Sequence, residues 1–112
     1  MKDHIELGWL YDFYGPLLSD KQQRYFSLWC EEDMSLTEIA EMENVSKQAV
    51  SDSLNTAEQR LLKYELQLGL LARYRKITGE LKNCLQELSG ELTPREQIVK
   101  KALSDLLSEE EM

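Results

Sequence analysis

Residues 35–54 read SLTEIAEMENVSKQAVSDSL, and this stretch decides the fold. Ser35 and Glu38 have the spacing of a capping box. In that motif the Ser side chain accepts a hydrogen bond from the Glu backbone, and the Glu carboxylate reaches back to the Ser backbone. The box predicts that a short helix begins at Leu36 and ends at about Met42.

A three-residue turn, Glu43 to Val45, joins this helix to a second one. Asn44 suits such a turn because Asn tolerates the left-handed backbone conformation, and Ser46 is a good cap for the helix that follows. Two helices joined this tightly cross steeply and need small or well-shaped apolar residues where they touch. We expect the buried contact to be formed by Ile39, Ala40, Val45, Ala49, Val50 and Leu54. The pattern predicts a helix-turn-helix at about residues 35–55 of an all-α protein, with Val45 filling the turn.

The second helix of such a motif enters the major groove of DNA with its N-terminus first. Its outer face near the start would present Lys47, Gln48, Ser51, Asp52 and Asn55. Gln48 and Asn55 can pair bidentately with adenine. Lys47 suits guanine or a phosphate, and Asp52 can accept from the amino group of cytosine. Phosphate contacts are expected from Ser35, Thr37 and Ser46.

The rest of the chain also has helical periodicity. An amphipathic helix from Asp3 to Tyr14 places Ile5, Trp9, Leu10 and Phe13 on its expected inner face. We expect one domain over residues 1–66 and a helical extension over 67–112, with a break or kink near Gly69 or Gly79. In the extension, a heptad-like seam consists of Leu70, Tyr74, Ile77, Leu81, Cys84 and Leu88. This seam either folds onto the N-terminal helices or pairs with a second copy, and a homodimer is favoured.

The charge distribution provides arguments both for and against binding to nucleic acid. The 112 residues carry a net charge of −8, whereas duplex binding depends on neutralising phosphates. Residues 65–103 nevertheless carry +2. The basic cluster in this part consists of Arg73, Arg75, Lys76 and Lys82. It is either a solvated face or a contact for RNA or DNA phosphates.

Catalysis finds little support in the sequence. The single histidine is His4, and Cys30 and Cys84 belong to no metal-ligand spacing. We find neither a Gly-rich phosphate loop nor a nucleophile elbow. We therefore expect no catalytic residues, no metal, no cofactor and no enzyme activity. No apolar run approaches the roughly 20 residues that cross a bilayer, and the N-terminus lacks a secretory signal, so we expect a cytoplasmic protein without membrane insertion.

The chain resembles the YlxM-type family of Gram-positive bacteria and their relatives. The residues that carry the resemblance, through about Tyr74, are Asp12-Phe13-Tyr14, Leu17-Leu18, Lys21-Gln22, Glu32-Asp33, Ser35-Leu36, Glu38-Ile39-Ala40, Val45-Ser46-Lys47-Gln48-Ala49-Val50 and Asp52. That family is similar to region 4 of bacterial sigma factors. The resemblance implies a three-helical, winged-helix-like fold with a long C-terminal helical extension. The second helix of the motif departs from sigma region 4 at the outer positions where sigma factors carry arginine. This chain has Lys47, Ser51 and Asp52 at those positions.

The family's genes usually lie beside those of the signal recognition particle GTPase and its receptor, which implies a role in that secretion pathway or in its regulation. Two hypotheses follow. In one, a dimeric DNA-binding regulator places two recognition helices in successive major grooves, about 34 Å apart. In the other, the helix-turn-helix is an interaction module for a protein or RNA component of the signal recognition particle. The motif favours the first hypothesis, and the net charge favours the second.

Overall fold

The computed structural model describes residues 4–110 and confirms an all-α fold over that range. The elements are α1 (His4–Tyr14), a 3-10 turn (Gly15–Leu17), α2 (Asp20–Cys30), α3 (Leu36–Glu43), α4 (Lys47–Leu68), α5 (Leu70–Glu87) and α6 (Pro94–Glu110). The chain forms two compact units, one up to Leu71 and one from Ala72 onward. The boundary expected at residues 66 and 67 falls inside α4, and the first compact unit continues to Leu71.

Capping boxes set where several helices begin. The Ser35 hydroxyl accepts from the Glu38 backbone at 3.1 Å, and the Glu38 carboxylate accepts from the Ser35 backbone at 3.0 Å. Thr93 and Glu96 form the same pair at α6, with Pro94 at the first helical position. The helix starts were predictable because each cap is an interaction within four residues of sequence.

The core of the first unit surrounds α4, which packs against α1, α2 and α3. Its fully or almost fully buried side chains are Leu7, Leu10, Tyr14, Leu18, Tyr25, Phe26, Ile39, Ala40, Val50, Leu54, Ala57 and Leu61. The expected inner face of α1 was wrong at Ile5, which is 72% exposed. Leu10 is buried as predicted, and Leu7 and Tyr14 face inward with it at the equally helical spacing of three and four residues. Asp3, the expected first residue of this helix, lies outside the described residues.

The corner between α4 and α5 is held by Tyr14 and Glu65. The Tyr14 hydroxyl donates to Glu65 Oε1 at 2.6 Å and accepts from the Leu70 backbone at 3.0 Å. Glu65 Oε1 also accepts from the Leu71 backbone at 3.0 Å. Burial, followed by the hydrogen bond that the Tyr14 hydroxyl donates to Glu65, raises the pKa of Tyr14 above its ordinary value. These bonds satisfy the first backbone donors of α5, which a helix cannot satisfy by itself.

Gly69 separates α4 from α5 with a left-handed backbone, φ +63°, so the predicted break is confirmed there. Gly79 lies inside the continuous α5. The second unit contains the rest of α5 and α6. It exposes several apolar side chains, namely Ile77, Ile98, Val99 and Leu106.

Candidate nucleic-acid interface

The helix-turn-helix is closed by its backbone. Asn44 adopts the left-handed conformation expected for it, with φ 56° and ψ 48°. The Val45 backbone donates to the Ala40 carbonyl at 3.0 Å and the Asn44 backbone to the Glu41 carbonyl at 3.4 Å. These are the two bonds of a Schellman motif, which satisfies the last carbonyls of α3. The turn thus reverses the chain without a plugging side chain.

The prediction that Val45 fills the turn was wrong, because its side chain is 37% exposed. The other members of the expected contact are correctly placed. Ile39 and Ala40 on α3 and Val50 and Leu54 on α4 are buried, and Ala49 is half-buried.

Ser35 and Ser46 both cap helices with their hydroxyls at the edge of the motif. The Ser46 hydroxyl accepts from the Ala49 backbone at 3.0 Å, as the Ser35 hydroxyl does from Glu38. A serine hydroxyl that accepts one bond still has its own hydrogen to donate. The Ser46 hydroxyl can therefore cap α4 and bind a phosphate oxygen at the same time, whereas the Ser35 hydroxyl also bonds to the Glu38 carboxylate. Thr37, the third residue expected to contact phosphates, is exposed.

Hydrogen bonds favour the charged form of the carboxylate in the α3 capping box. The hydrogen bond from the Ser35 backbone, followed by that from the Ser35 hydroxyl, lowers the pKa of Glu38 below its ordinary value. At the other end of α3, Glu43 forms an ion pair with Arg24 of α2. The capping box therefore holds the start of this short helix, and the ion pair joins its end to α2.

Four of the five residues expected to read bases are exposed on α4. These are Lys47, Gln48, Asp52 and Asn55. Ser51 is half-buried, since it lies nearer the face that packs on the core. Gln48 Nε2 donates to Asp52 Oδ1 at 2.8 Å, a contact between neighbours on one helix face. Reading a base with either side chain therefore exchanges this bond for one to DNA.

The basic cluster on α5 does not form one face. All four cations are exposed, and α5 is one continuous helix. Residues seven apart lie on the same side of a helix, and residues two apart lie on different sides. Arg75 and Lys82 therefore share a side, whereas Arg73 lies away from Arg75. A phosphate contact at this place would involve two of the cations.

The described residues also bear on the other expectations. Within residues 4–110, no group of three His, Cys, Asp or Glu side chains is arranged to hold a metal ion. In the same range, no helix is both long and apolar enough to cross a membrane.

His4 begins α1 and stacks on Trp29 with ring centroids 3.7 Å apart. Burial, more than the nearby carboxylates Glu31 and Asp12, raises the pKa of the Cys30 thiol, which disfavours the reactive thiolate.

The chain is similar to many bacterial proteins of one family. A UPF0122 protein of Desulforamulus reducens is 42% identical over 90 residues, covering 80% of this chain and 77% of the relative. One from Geobacillus kaustophilus is 43% identical over 89 residues, covering 77% and 81%. One from Lacticaseibacillus casei is 50% identical over 74 residues, covering 66% of each chain.

The family pattern matches residues 1–104 and so extends into α6, well beyond the Tyr74 limit of the resemblance seen in the sequence. The predicted family is confirmed. The chain belongs to the UPF0122 family, described as "Putative helix-turn-helix protein, YlxM / p13 like".

Proposed function

We propose that this protein is a DNA-binding regulator that reads duplex DNA with the N-terminal half of α4. The observation that carries the proposal is the exposed row Lys47, Gln48, Asp52 and Asn55 on the helix that follows the Schellman turn. In a helix-turn-helix this half of the second helix is the part that enters the major groove.

Each side chain of the row has a chemical role. Gln48 and Asn55 present an amide donor and acceptor, which match adenine N7 and N6. Lys47 pairs with guanine or with a phosphate, and Asp52 accepts from cytosine N4. Thr37 and Ser46 supply hydroxyl donors to the flanking phosphates, and Ser35 does so when its hydroxyl turns away from the Glu38 carboxylate. Ser51, being half-buried, contributes less than its place in the sequence suggests.

The regulator acts as a homodimer in this proposal. The exposed apolar residues of α5 and α6, with Ile77, Ile98 and Leu106 among them, supply a surface that a second copy covers. Two copies related by a twofold axis would present their recognition helices to half-sites about 34 Å apart. The similarity to sigma region 4 and the genes that accompany the family favour a target within the signal recognition particle pathway. Sedimentation of the purified protein tests the dimer.

The proposal is tested by measuring the binding of genomic DNA fragments at graded salt, followed by selection of the preferred sequence. Gln48→Ala with Asn55→Ala should abolish sequence preference and leave most salt-dependent binding in place. Asn83→Ala with Gln86→Ala is the matched control, because it makes the same chemical change on the exposed surface of α5. Unchanged preference in the first pair, or no duplex binding even at low salt, would refute the proposal.

A second candidate is an interaction module that binds a protein or RNA component of the signal recognition particle. The net charge of −8 favours it, because such a surplus repels a nucleic-acid duplex outside locally basic faces. Arg75 and Lys82, on one side of α5, would then contact RNA. Direct binding to the particle's purified RNA and protein, with no binding to duplex DNA, would support this function in place of the first.

A further inference from the structure

The exposed charge of α4 differs from the charge that its sequence suggests. The helix contains three cations and three carboxylates and is neutral by count. Glu58, however, is only 8% exposed, and the Glu65 carboxylate is bonded to Tyr14 and to the backbone of Leu71. Asp52 is thus the remaining exposed carboxylate of this helix.

All three cations of α4, by contrast, are exposed: Lys47, Arg60 and Lys63. The exposed side chains of α4 therefore carry three positive charges and one negative charge, although the whole chain carries −8. A local surplus of exposed positive charge attracts anions even on a strongly acidic protein, and the net charge alone does not indicate it.

The helix geometry aligns Lys63 with the residues that face bases. Eleven residues separate Lys63 from Asp52, so at 3.6 residues per turn their side chains point in directions within about 20° of each other. Arg60 lies on the adjoining flank. Arg60, Lys63, Tyr64 and Gln67 line a shallow depression of about 350 Å³ on the outer surface of α4.

The rise of the helix sets how far these cations stand from the bases. An α-helix rises about 1.5 Å per residue, so Arg60 and Lys63 lie about 12 Å and about 16.5 Å along the axis from Asp52, which is more than the roughly 8.5 Å depth of the major groove. Arg60 is eight residues beyond Asp52, and Lys63 is eleven. Both therefore lie outside the groove when Asp52 reads a base, where phosphates and not base edges are within reach of their long side chains.

We propose that Arg60 and Lys63 form a phosphate-binding site for the backbone of the same duplex whose bases the N-terminal half of α4 reads. This inference rests on the proposed function. Arg60 offers the forked donors that match two phosphate oxygens, Lys63 offers a point charge, and the Gln67 amide offers a neutral donor. Contacts of this kind fix the register of a protein on DNA and carry no sequence information themselves.

The test is the salt dependence of duplex binding by the full chain. Each phosphate contact adds about 0.9 to the slope of log affinity against log salt. Arg60→Gln with Lys63→Gln should lower the magnitude of the slope by about 1.8. When the salt is raised from 50 to 200 mM, the fold-loss of affinity in the variant should therefore be about 12 times smaller than in the parent. The preferred base sequence should stay the same, because no base contact is removed.

Two further variants separate this site from a general charge effect. Arg95→Gln with Lys100→Gln removes two exposed cations from α6 and should leave the slope nearly unchanged. Arg60→Lys with Lys63→Arg keeps both charges and should retain the parent slope. Circular dichroism of each variant shows that the helices remain folded.

The outcomes distinguish failure of the inference from failure of the proposed function. If the parent protein binds duplex DNA and the Arg60 and Lys63 pair behaves like the α6 pair, the phosphate site is refuted and the reading of bases by α4 stands. A changed base preference in the Arg60 and Lys63 pair would also refute the phosphate site. If the parent protein binds no duplex at low salt, both are refuted.

Discussion

Replacing Tyr14 by Phe removes one buried hydroxyl that joins three parts of the first unit. Tyr14 is 1% exposed. Its hydroxyl donates to the Glu65 carboxylate at 2.6 Å and accepts from the Leu70 backbone at 3.0 Å. The substitution keeps the ring and its packing, so the two lost hydrogen bonds dominate the change in the free energy of unfolding.

The expected loss follows from the kinds of bond removed. A hydrogen bond to a charged group contributes roughly 1.5–3 kcal/mol and a neutral one about 1 kcal/mol. Because Phe offsets part of this by being more apolar, Tyr14→Phe should lower the free energy of unfolding by about 2–3 kcal/mol. For a chain of this size, with a urea slope of roughly 1–3 kcal/mol/M, the midpoint falls by about 1 M.

The assay is urea denaturation followed by circular dichroism. Tyr64→Phe is the control, because the Tyr64 hydroxyl makes only a long bond, 3.4 Å, to the Leu17 carbonyl. That variant should change stability by less than about 0.5 kcal/mol. A double-mutant cycle with Glu65→Ala should give a coupling above about 1 kcal/mol, since the two side chains interact directly. Equal losses in Tyr14→Phe and Tyr64→Phe, or additive effects in the cycle, would refute this account of the corner.

The contribution of Tyr14 also depends on pH. Its pKa is raised in the folded state, so the folded protein holds the phenol proton more tightly than the unfolded chain does. The stabilisation is fully present below the unfolded pKa of about 10 and is lost as pH rises through the folded pKa. The difference in stability between the parent and Tyr14→Phe should therefore be constant near neutral pH and narrow above pH 10.

Three further predictions concern the backbone and the caps. Asn44→Ala should lower the melting temperature, because the left-handed conformation costs a residue such as Ala roughly 1–2 kcal/mol. Asn44→Gly should not lower it. Equal losses of melting temperature in the two variants would contradict the role of the turn. Gly79→Ala should raise the free energy of unfolding by about 0.5–1 kcal/mol, since no neighbouring atom lies within 4 Å of an added methyl group. Gly69→Ala should lower the free energy of unfolding, because Gly69 has a left-handed backbone with φ +63°. Urea denaturation measures both changes. The pKa of Glu38, measured by NMR titration, should lie below its ordinary value and return toward that value in Ser35→Ala. The stabilisation by this cap is present above the unfolded pKa of about 4.3. It is lost as the pH falls through the folded pKa.

The helix-turn-helix could be predicted from the sequence because its signals are local. The Ser35 and Glu38 box, the left-handed Asn44 and the Ser46 cap each act over no more than four residues of chain. Their chemistry is therefore visible in a short window of sequence. The family relationship rested on this stretch together with the signature in residues 12–33, and it was confirmed.

Interactions between distant parts of the chain could not be predicted in this way. Tyr14 and Glu65 are 51 positions apart, and nothing near either residue indicates the other. The periodicity of α1 allowed two adjacent stripes, and packing against other helices selected Leu7 over Ile5. The surplus of exposed positive charge on α4 was likewise hidden, because the burial of Glu58 depends on the whole fold.

The length of α4 has a mechanical consequence. Its 22 residues, Lys47–Leu68, contain neither glycine nor proline, so the helix is a stiff lever about 33 Å long. One end carries the side chains that we propose read bases, and the other is held by Tyr14 and Glu65. Because the helix is stiff, a partner that tilted it at the Tyr14 end would also move the end proposed to bind DNA, and would change its binding without touching DNA.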